Sequence, residues 1–218
     1  MEKIKAAIFD MDGTLLDSMN FWTFCPEIYI KSLGMKPEEG LGKKLFSMSM
    51  KEGANFLKNE YKLSFSRTEI CREINNVLRN AYANTIQFKE GAEDFLKSLK
   101  SSGVKTALCT NTDRELFEPA LLRLNANKYF DRIFTATEMG MSKEHPEIFN
   151  AVSDFLKSAP NETWVFEDAL YAIRTASNAG FKTCGIYDKS YESHTEEIKK
   201  YSTIYCKNYE EAKNFFLI

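Results

Sequence analysis

The sequence has few cysteines, and their placement excludes a crosslinked or metal–sulfur framework. There are five in 218 residues, an odd number, and no two are spaced as a Cys-x-x-Cys pair. This argues against a disulfide framework and against a zinc site. We therefore expect the cysteines to act as small buried hydrophobic residues. They are Cys25, Cys71, Cys109, Cys184 and Cys206.

The sequence also lacks an excess of basic charge and a long hydrophobic segment at its start. The net charge is −2 and no Lys/Arg run is present, so nothing indicates binding to nucleic acid or to a membrane surface. The short apolar stretch that ends at Asp10 is too short for a signal peptide or a transmembrane helix. We expect a cytoplasmic monomer that binds neither nucleic acid nor membranes.

The sequence does contain enough apolar residues for a core, since 44% are hydrophobic and 28% are charged. Six short apolar runs are typical of strands buried on both faces of a parallel sheet. Helical patterns lie between them, so the alternation predicts an α/β fold with a doubly wound, Rossmann-like parallel sheet. The predicted strands are Ile4–Phe9, Val104–Cys109, Arg132–Ala136, Thr163–Phe166, Thr183–Tyr187 and Thr203–Cys206.

One long stretch after the first predicted strand contains no further strand. Apolar residues there recur at helical spacing, as at Phe24 and Ile28. We therefore predict an all-helical cap domain over residues 17–88. It is inserted into an α/β catalytic core that comprises residues 1–16 and 89–218.

Polar side chains follow three of the predicted strands at the points where the strands end. Because ligands bind at the carboxyl ends of strands in open α/β sheets, these side chains are expected to meet at one edge. Clustered carboxylates repel one another unless a cation lies among them, and oxygen ligands favour Mg²⁺, which usually accompanies a phosphate. The side chains are Asp10 and Asp12 after the first strand, Thr110 and Asn111 after the second, and Glu167 and Asp168 after the fourth.

Each of these pairs also has a plainer interpretation. A lone Asp-x-Asp is weak evidence for catalysis, and Glu-Asp before a helix is often a cap with a favourable dipole charge. Thr-Asn could likewise be a turn. The agreement of all three pairs at matching strand ends favours one shared functional site.

Four segments resemble the motifs of the haloacid dehalogenase superfamily. Asp10–Ser18 resembles the first motif, and Cys109–Asn111 resembles the second, a strand that ends in Thr or Ser. Ser142–Phe149 resembles the third, usually Gly-Lys-Pro-x-Pro-Asp-Ile-Phe, and Phe166–Ile173 resembles the fourth. The helical insert matches the position of this family's small cap, and the whole pattern is closest to the β-phosphoglucomutase-like branch.

The resemblance implies phosphoryl-transfer chemistry for the first and fourth motifs. Asp10 would attack phosphorus and form an aspartyl-phosphate, and Asp12 would protonate the leaving oxygen and then activate water. Mg²⁺ would be held by the Asp10 side chain, the Asp12 backbone carbonyl and Asp168, with Glu167 acting directly or through a water. An acid at position 12 indicates a phosphate ester as substrate, because dehalogenases of the superfamily lack one.

The same resemblance implies that the second and third motifs bind the phosphate. Thr110, the Asn111 backbone and Lys143 would hold the transferring oxygens and stabilise charge as it forms. The sequence departs from the family's usual residues nearby, with Glu144 in place of Pro and Ala169 in place of Ser. These departures are expected to tune the site rather than abolish it.

The first predicted cap helix carries aromatic residues soon after the first motif. Phe21, Trp22 and Phe24 could pack in the cap core, or Trp22 or Phe21 could line the substrate pocket. The candidates for a cation that binds a second charge on the substrate are Lys43, Lys44, Lys51 and Arg79.

Together these features predict a Mg²⁺-dependent phosphatase that acts on a small phosphorylated metabolite. The alternatives are a sugar phosphomutase and, from another class, a catalytically silent phosphometabolite-binding protein, against which the complete motif set argues. β-Phosphoglucomutases carry a histidine on the first cap helix, but the stretch from Asp17 to Thr23 contains none. The two histidines of the chain, His145 and His194, lie outside the predicted cap, and His145 is expected on the surface.

Overall fold

The computed structural model describes residues 4–46 and 48–217. Residues 1–3, 47 and 218, which belong to the predicted core and cap, lie outside this description. The six strands of the described residues are β1 (Ala6–Phe9), β2 (Lys105–Thr110), β3 (Arg132–Thr135), β4 (Thr163–Glu167), β5 (Lys182–Ile186) and β6 (Ile204–Cys206). They form one parallel sheet in the order β3-β2-β1-β4-β5-β6. The predicted fold class is confirmed.

Helices follow most of the strands, and none in the described ranges is long and apolar enough to cross a membrane. They are α1 (Met19–Ser32), α2 (Leu41–Leu45), α3 (Met50–Glu60), α4 (Arg67–Asn84), α5 (Ala92–Ser101), α6 (Arg114–Arg123), α7 (Ala136–Met139), α8 (Pro146–Leu156), α9 (Leu170–Asn178), α10 (Thr195–Tyr201) and α11 (Tyr209–Phe216). Short 3₁₀ helices span Asn127–Tyr129, Pro160–Glu162 and Lys189–His194.

Successive side chains of β1 point to opposite faces of the sheet. Ala7 and Phe9 pack in an apolar cluster with α5 and α11, whereas Ala6 and Ile8 pack in a second cluster with α8 and α9. Helices therefore cover both faces, which explains why the strands are continuous apolar runs in the sequence. The polar side chains that could act in catalysis therefore lie at the ends of the strands.

The helices α1–α4 all lie between β1 and β2, and the described residues of this insert add no strand to the sheet. The insert has its own apolar cluster, in which α1 buries Cys25 and Tyr29. Phe24 and Ile28, whose spacing indicated this helix, are instead exposed. Helical spacing admits several stripes on one helix, and here the packing against α2 and α4 selects the neighbouring one.

The start of α3 and the start of α4 are fixed by capping boxes. In each, a serine side chain accepts from the backbone N–H three residues later, and the glutamate there accepts from the serine N–H. The pairs are Ser49 with Glu52 and Ser66 with Glu69. The sequence of the insert thus determines locally where these two helices begin.

Two linkers join the insert to the sheet, and they lie side by side. Leu16 and Phe88 form an isolated antiparallel bridge, and the N–H of Asp17 donates to the carbonyl of Gln87 at 3.0 Å. These residues surround both ends of the predicted cap, residues 17–88. A cap with these boundaries stays a prediction, because α4 also packs against α6 of the core.

Candidate active site

The three central strands bring the predicted side chains to one edge of the sheet. Asp10 directly follows β1, Thr110 is the last residue of β2, and Glu167 is the last residue of β4. These strands are neighbours, and their ends open into one cavity of about 380 Å³. The predicted site residues all line this cavity: Asp10, Asp12, Thr110, Asn111, Lys143, Glu167 and Asp168.

Lys143 forms a buried ion pair with two carboxylates. Its Nζ lies 2.5 Å from Oδ1 of Asp10 and 2.6 Å from Oε1 of Glu167. Burial lowers the pKa of Lys143, but the charges of Asp10 and Glu167 outweigh it and hold the pKa well above its usual value. The lysine is therefore a permanent positive charge beside Asp10.

Within the described part of the chain, the buried carboxylates at this edge outnumber the one cationic side chain in the cavity lining, Lys143. Burial, followed by the charge of Glu167, raises the pKa of Asp10 to about 8, although Lys143 acts in the opposite direction. Burial and the charges of Glu167 and Asp10 raise the pKa of Asp168 well above its usual value. Without a bound cation, these carboxyl groups are therefore easier to protonate than usual, and a cation bound among them would lower their pKa values and favour the ionised forms.

Three carboxylates form a cluster with the geometry of a cation site. Asp10, Glu167 and Asp168 each present an oxygen, and these oxygens lie within 4.8 Å of one another. Oδ1 of Asp168 accepts a hydrogen bond from the Thr14 hydroxyl at 2.9 Å, but its buried Oδ2 has no partner. An orphaned carboxylate oxygen in an all-oxygen donor set fits a hard divalent cation such as Mg²⁺.

Glu167 differs from the other members of the cluster because both its oxygens already have protein donors. Oε1 accepts from Lys143, and Oε2 accepts from the backbone N–H groups of Asp168 at 2.8 Å and Ala169 at 3.4 Å. Of the two metal contacts predicted for Glu167, these bonds favour the one through a water.

The side chain of Asp12 lies outside the carboxylate cluster. Its Oδ1 accepts from the hydroxyl of Ser18 at 2.6 Å and from the hydroxyl of Tyr82, and its Oδ2 accepts from Thr112 at 2.7 Å. Both oxygens of the Asp12 side chain therefore have neutral hydroxyl partners.

Sequence reasoning did not identify Thr112 or Tyr82 as partners of Asp12. Thr112 lies two residues beyond Thr110, so its place at a strand end was a signal that could have found it. Tyr82 is separated from Asp12 by 70 positions along the chain and lies near the end of α4. No local pattern links these two residues.

The side chain of Asn111 forms hydrogen bonds with two other residues of the cavity lining, Lys143 and Tyr171. Its Oδ1 accepts from the backbone N–H of Lys143 at 3.2 Å, and its Nδ2 donates to the hydroxyl of Tyr171 at 2.9 Å. Thr110, which is buried, accepts from the N–H of Thr112 at 3.1 Å. These bonds fix the loop after β2 in which the predicted phosphate-binding groups lie.

Apolar side chains also contribute to the lining of this cavity. Met19, Trp22, Met50 and Leu116 line it, so Trp22 both lines the cavity and packs against the apolar cluster of the insert. Phe21 packs against that cluster without lining the cavity, and Phe24 is exposed. Among the residues that the structure describes, Lys143 is the only cationic side chain in the lining.

The predicted cap cations do not reach this cavity. Lys43, Lys44, Lys51 and Arg79 are absent from its described lining. Lys44 and Arg79 instead form ion pairs with glutamates elsewhere, at 3.1 and 3.3 Å. His145 is exposed immediately before α8, as expected.

Comparison with known proteins identifies a family and relatives of this chain. Residues 7–186 match the family of haloacid dehalogenase-like hydrolases. A phosphorylated carbohydrates phosphatase of Thermotoga maritima is 26% identical over 179 residues, which cover 82% of this chain and 83% of that protein. The glyceraldehyde 3-phosphate phosphatase of Pyrococcus furiosus is 26% identical over 217 residues, covering 93% of this chain and 88% of that protein.

A solved structure shows the same fold. The candidate β-phosphoglucomutase of Thermotoga maritima matches with a TM-score of 0.85 over 98% of both chains, at 24% identity. The likeness at this identity concerns the fold alone. The enzyme class predicted from the motifs, a phosphoric monoester hydrolase, agrees with the family match and with relatives that are themselves phosphatases. The chain belongs to the haloacid dehalogenase-like hydrolase family.

Proposed function

We propose that this protein is a Mg²⁺-dependent phosphatase that hydrolyses a small phosphomonoester through an aspartyl-phosphate on Asp10. The observation that carries the proposal is the presence of two carboxylates with different surroundings in one cavity. Asp10 is buried against Lys143, whereas Asp12 is held by neutral hydroxyl groups. The positive charge of Lys143, together with a bound cation, would favour the ionised form of Asp10 that attacks phosphorus, whereas the neutral surroundings of Asp12 suit proton transfer.

The first half of the reaction transfers the phosphoryl group to Asp10. The ester P–O bond breaks as a bond forms from a carboxylate oxygen of Asp10 to phosphorus, and a proton passes from Asp12 to the leaving oxygen. Lys143 and Thr110 stabilise the charge on the phosphoryl oxygens. The alcohol then leaves the cavity.

The second half releases phosphate. Asp12, now ionised, takes a proton from a water as that water attacks phosphorus, and the bond to Asp10 breaks. One residue serves both steps because the leaving and entering oxygens occupy the same place. The products are the alcohol and inorganic phosphate.

The residues that would hold Mg²⁺ are the side chains of Asp10 and Asp168 and the backbone carbonyl of Asp12, with Glu167 contributing through a water. A bound Mg²⁺ would supply positive charge that neutralises the phosphoryl oxygens and the surrounding carboxylates. The oxygen cluster and the unpartnered Oδ2 of Asp168 support this assignment.

The substrate class is supported by the relatives and by the cavity. Two relatives are phosphatases of phosphorylated carbohydrates and of glyceraldehyde 3-phosphate, and a cavity of about 380 Å³ suits a small ester. We propose that residues 17–88 act as the cap over this cavity. A cytoplasmic location and a monomeric state stay predictions.

The proposal is tested by a panel of phosphorylated metabolites with MgCl₂, on wild type and on Asp10→Asn. Asparagine keeps the shape but cannot act as a charged nucleophile, so turnover should fall by more than about 10³-fold. Circular dichroism should show an unchanged fold. Acid quench of the wild type with labelled substrate should place the label on Asp10.

Two outcomes would contradict the proposal in different ways. Turnover near wild type in Asp10→Asn would rule out the covalent mechanism. Tight binding of panel compounds without any turnover by the wild type would favour the silent phosphometabolite-binding protein.

A further inference from the structure

A chain of hydrogen bonds runs from the helical insert to the carboxylate of Asp12. The indole Nε1–H of Trp22 donates to the hydroxyl oxygen of Tyr82 at 2.9 Å, and the hydroxyl of Tyr82 donates to Oδ1 of Asp12. Trp22 belongs to α1 and Tyr82 to α4, so two helices contribute. Tyr82 is fully buried, and water therefore does not compete for its bonds.

The direction of this chain is fixed by donor chemistry. An indole N–H can only donate, and a tyrosine hydroxyl carries a single hydrogen. Because Tyr82 accepts from Trp22, its own hydrogen is left for Asp12. The hydroxyl of Thr112, on the other oxygen of Asp12, can rotate to donate or accept, so it suits both a protonated and an ionised carboxylate.

The two oxygens of Asp12 therefore have different surroundings. Oδ1 is bound by Ser18 and Tyr82, which are not part of the described cavity lining, whereas Oδ2 is bound by Thr112, which is. We propose that Oδ2 exchanges the proton with the substrate and that Tyr82, supported by Trp22, is a positioning residue that holds Asp12 for this transfer. The inference rests on the proposed phosphatase function.

The proton transfer can be tested by comparing substrates whose leaving groups differ in their need for a proton. When phosphorus passes to Asp10, the ester bond breaks and the proton on Oδ2 moves to the leaving oxygen. An alkoxide is a poor leaving group that needs this proton, whereas p-nitrophenolate leaves without it. A misplaced Asp12 should therefore slow alkyl esters selectively. The ratio kcat/KM reports the steps up to departure of the alcohol and is free of the later hydrolysis.

The test measures kcat/KM of Tyr82→Phe with saturating Mg²⁺, on p-nitrophenyl phosphate and on the best alkyl phosphate of the panel. We expect a loss of about tenfold or more on the alkyl ester and a much smaller loss on the aryl ester. Trp22→Phe should also lower kcat/KM more on the alkyl ester than on the aryl ester, but by a smaller factor than Tyr82→Phe does. In the Tyr82→Phe background, Trp22→Phe should add no further selective loss on the alkyl ester.

Tyr129→Phe is the matched control. The hydroxyl of Tyr129 also donates to a carboxylate, that of Glu93 at 2.7 Å, and Tyr129 is also buried, but Glu93, unlike Asp12, lies outside the described cavity lining. Its loss should change both esters equally little. Thermal unfolding of each variant separates loss of fold from loss of positioning.

Three results would overturn the inference. The first is an equal loss on both esters in Tyr82→Phe, which would indicate a merely structural role. The second is fully additive losses in the double variant, which would mean that Trp22 acts only through the cavity wall. The third, should Tyr82→Phe fail to fold, is a Trp22→Phe variant that folds and shows no selective loss. In each case an inactive Asp10→Asn would leave the phosphatase proposal standing.

Discussion

The backbone of Gly13 lies directly against the carboxylate of Asp168. A Cβ built on Gly13 would lie 2.8 Å from Cγ of Asp168 and nearer still to its Oδ2, and φ at Gly13 is +80°. We predict that Gly13→Ala displaces Asp168 and strains the backbone, lowering the free energy of unfolding by about 1–3 kcal/mol. Half-maximal activity should also require more Mg²⁺, as a titration of turnover would show.

Gly103→Ala separates the two effects. Gly103 has a similar φ of +72°, but a Cβ there would meet no atom within 4 Å. This variant should carry the backbone strain alone, so its stability should fall while its Mg²⁺ titration stays at the wild-type position. Overlapping Mg²⁺ titrations for Gly13→Ala and wild type would contradict the contact with Asp168.

The orphaned oxygen of Asp168 leads to a prediction about metal dependence. We expect EDTA to abolish turnover, Mg²⁺ to restore it, and excess Ca²⁺ to suppress it because Ca²⁺ takes more ligands at longer distances. Thr14 orients Asp168 through its hydroxyl at 2.9 Å. Thr14→Val should therefore weaken Mg²⁺ binding by about 10–100-fold.

Thr163→Val is the control for this substitution. Thr163 is also buried and its hydroxyl also has a partner, the carbonyl of Ala159 at 2.9 Å, but it begins β4 at the opposite end from the cavity. Its Mg²⁺ titration should match that of the wild type. Full activity in EDTA would contradict the metal site as a whole.

The sheet could be predicted from the sequence because its central strands, such as β1 and β4, are buried on both faces. A run such as Ala6–Phe9 has no polar face, so its limits are marked by the polar residues that follow it. The same rule placed Asp10, Thr110 and Glu167 at one edge, since parallel strands end together. The strand ends carry much of the candidate site, and their positions follow from local pattern alone.

The helical insert could be predicted from its spacing, but the packing of its helices and the partners of Asp12 could not be predicted in the same way. In α1 the sequence offers Phe24 and Ile28 as well as Cys25 and Tyr29 at helical spacing, and only packing decides between them. Tyr82 reaches Asp12 because α4 returns to the core, a tertiary relationship without a local signal.

The paired linkers lead to a prediction about motion of the cap. With hinges near residues 16–18 and 85–89, the distance between cap and core should shorten when Mg²⁺ and aluminium fluoride fill the site. Spin labels at the exposed positions Asn59 in the cap and Asn178 in the core would report it by pulsed electron spin resonance. Cys71, which of the five cysteines alone is not buried, should first be replaced by Ser.

A pair of labels at Asn178 and Lys128, both exposed in the core, provides the matched control. Its distance should stay the same with and without the ligands. A cap–core distance as constant as this control pair would mean that the insert is a fixed part of the core.

The residues that line the cavity favour a phosphatase, which releases the phosphate, over a mutase, which returns it to a sugar. A mutase passes through a bisphosphate, whose second phosphate needs a cation, yet in the described lining only Lys143 is cationic and it is already paired. Trp22 lies in the stretch where β-phosphoglucomutases carry a histidine, and its indole cannot accept a proton. Its N–H is also bound to Tyr82. Asp12 alone would have to manage the hydroxyl proton.

We therefore predict net release of phosphate with little isomerisation. The protein would be incubated with β-glucose 1-phosphate, Mg²⁺ and a trace of glucose 1,6-bisphosphate, and inorganic phosphate and glucose 6-phosphate would be followed together. A parallel incubation with glucose 6-phosphate alone corrects for any product that is formed and then hydrolysed. Phosphate should form faster than glucose 6-phosphate. Because the cavity does not hold a sugar phosphate as acceptor, water attacks the aspartyl-phosphate instead. Glucose 6-phosphate forming much faster than phosphate would contradict this prediction and favour the mutase.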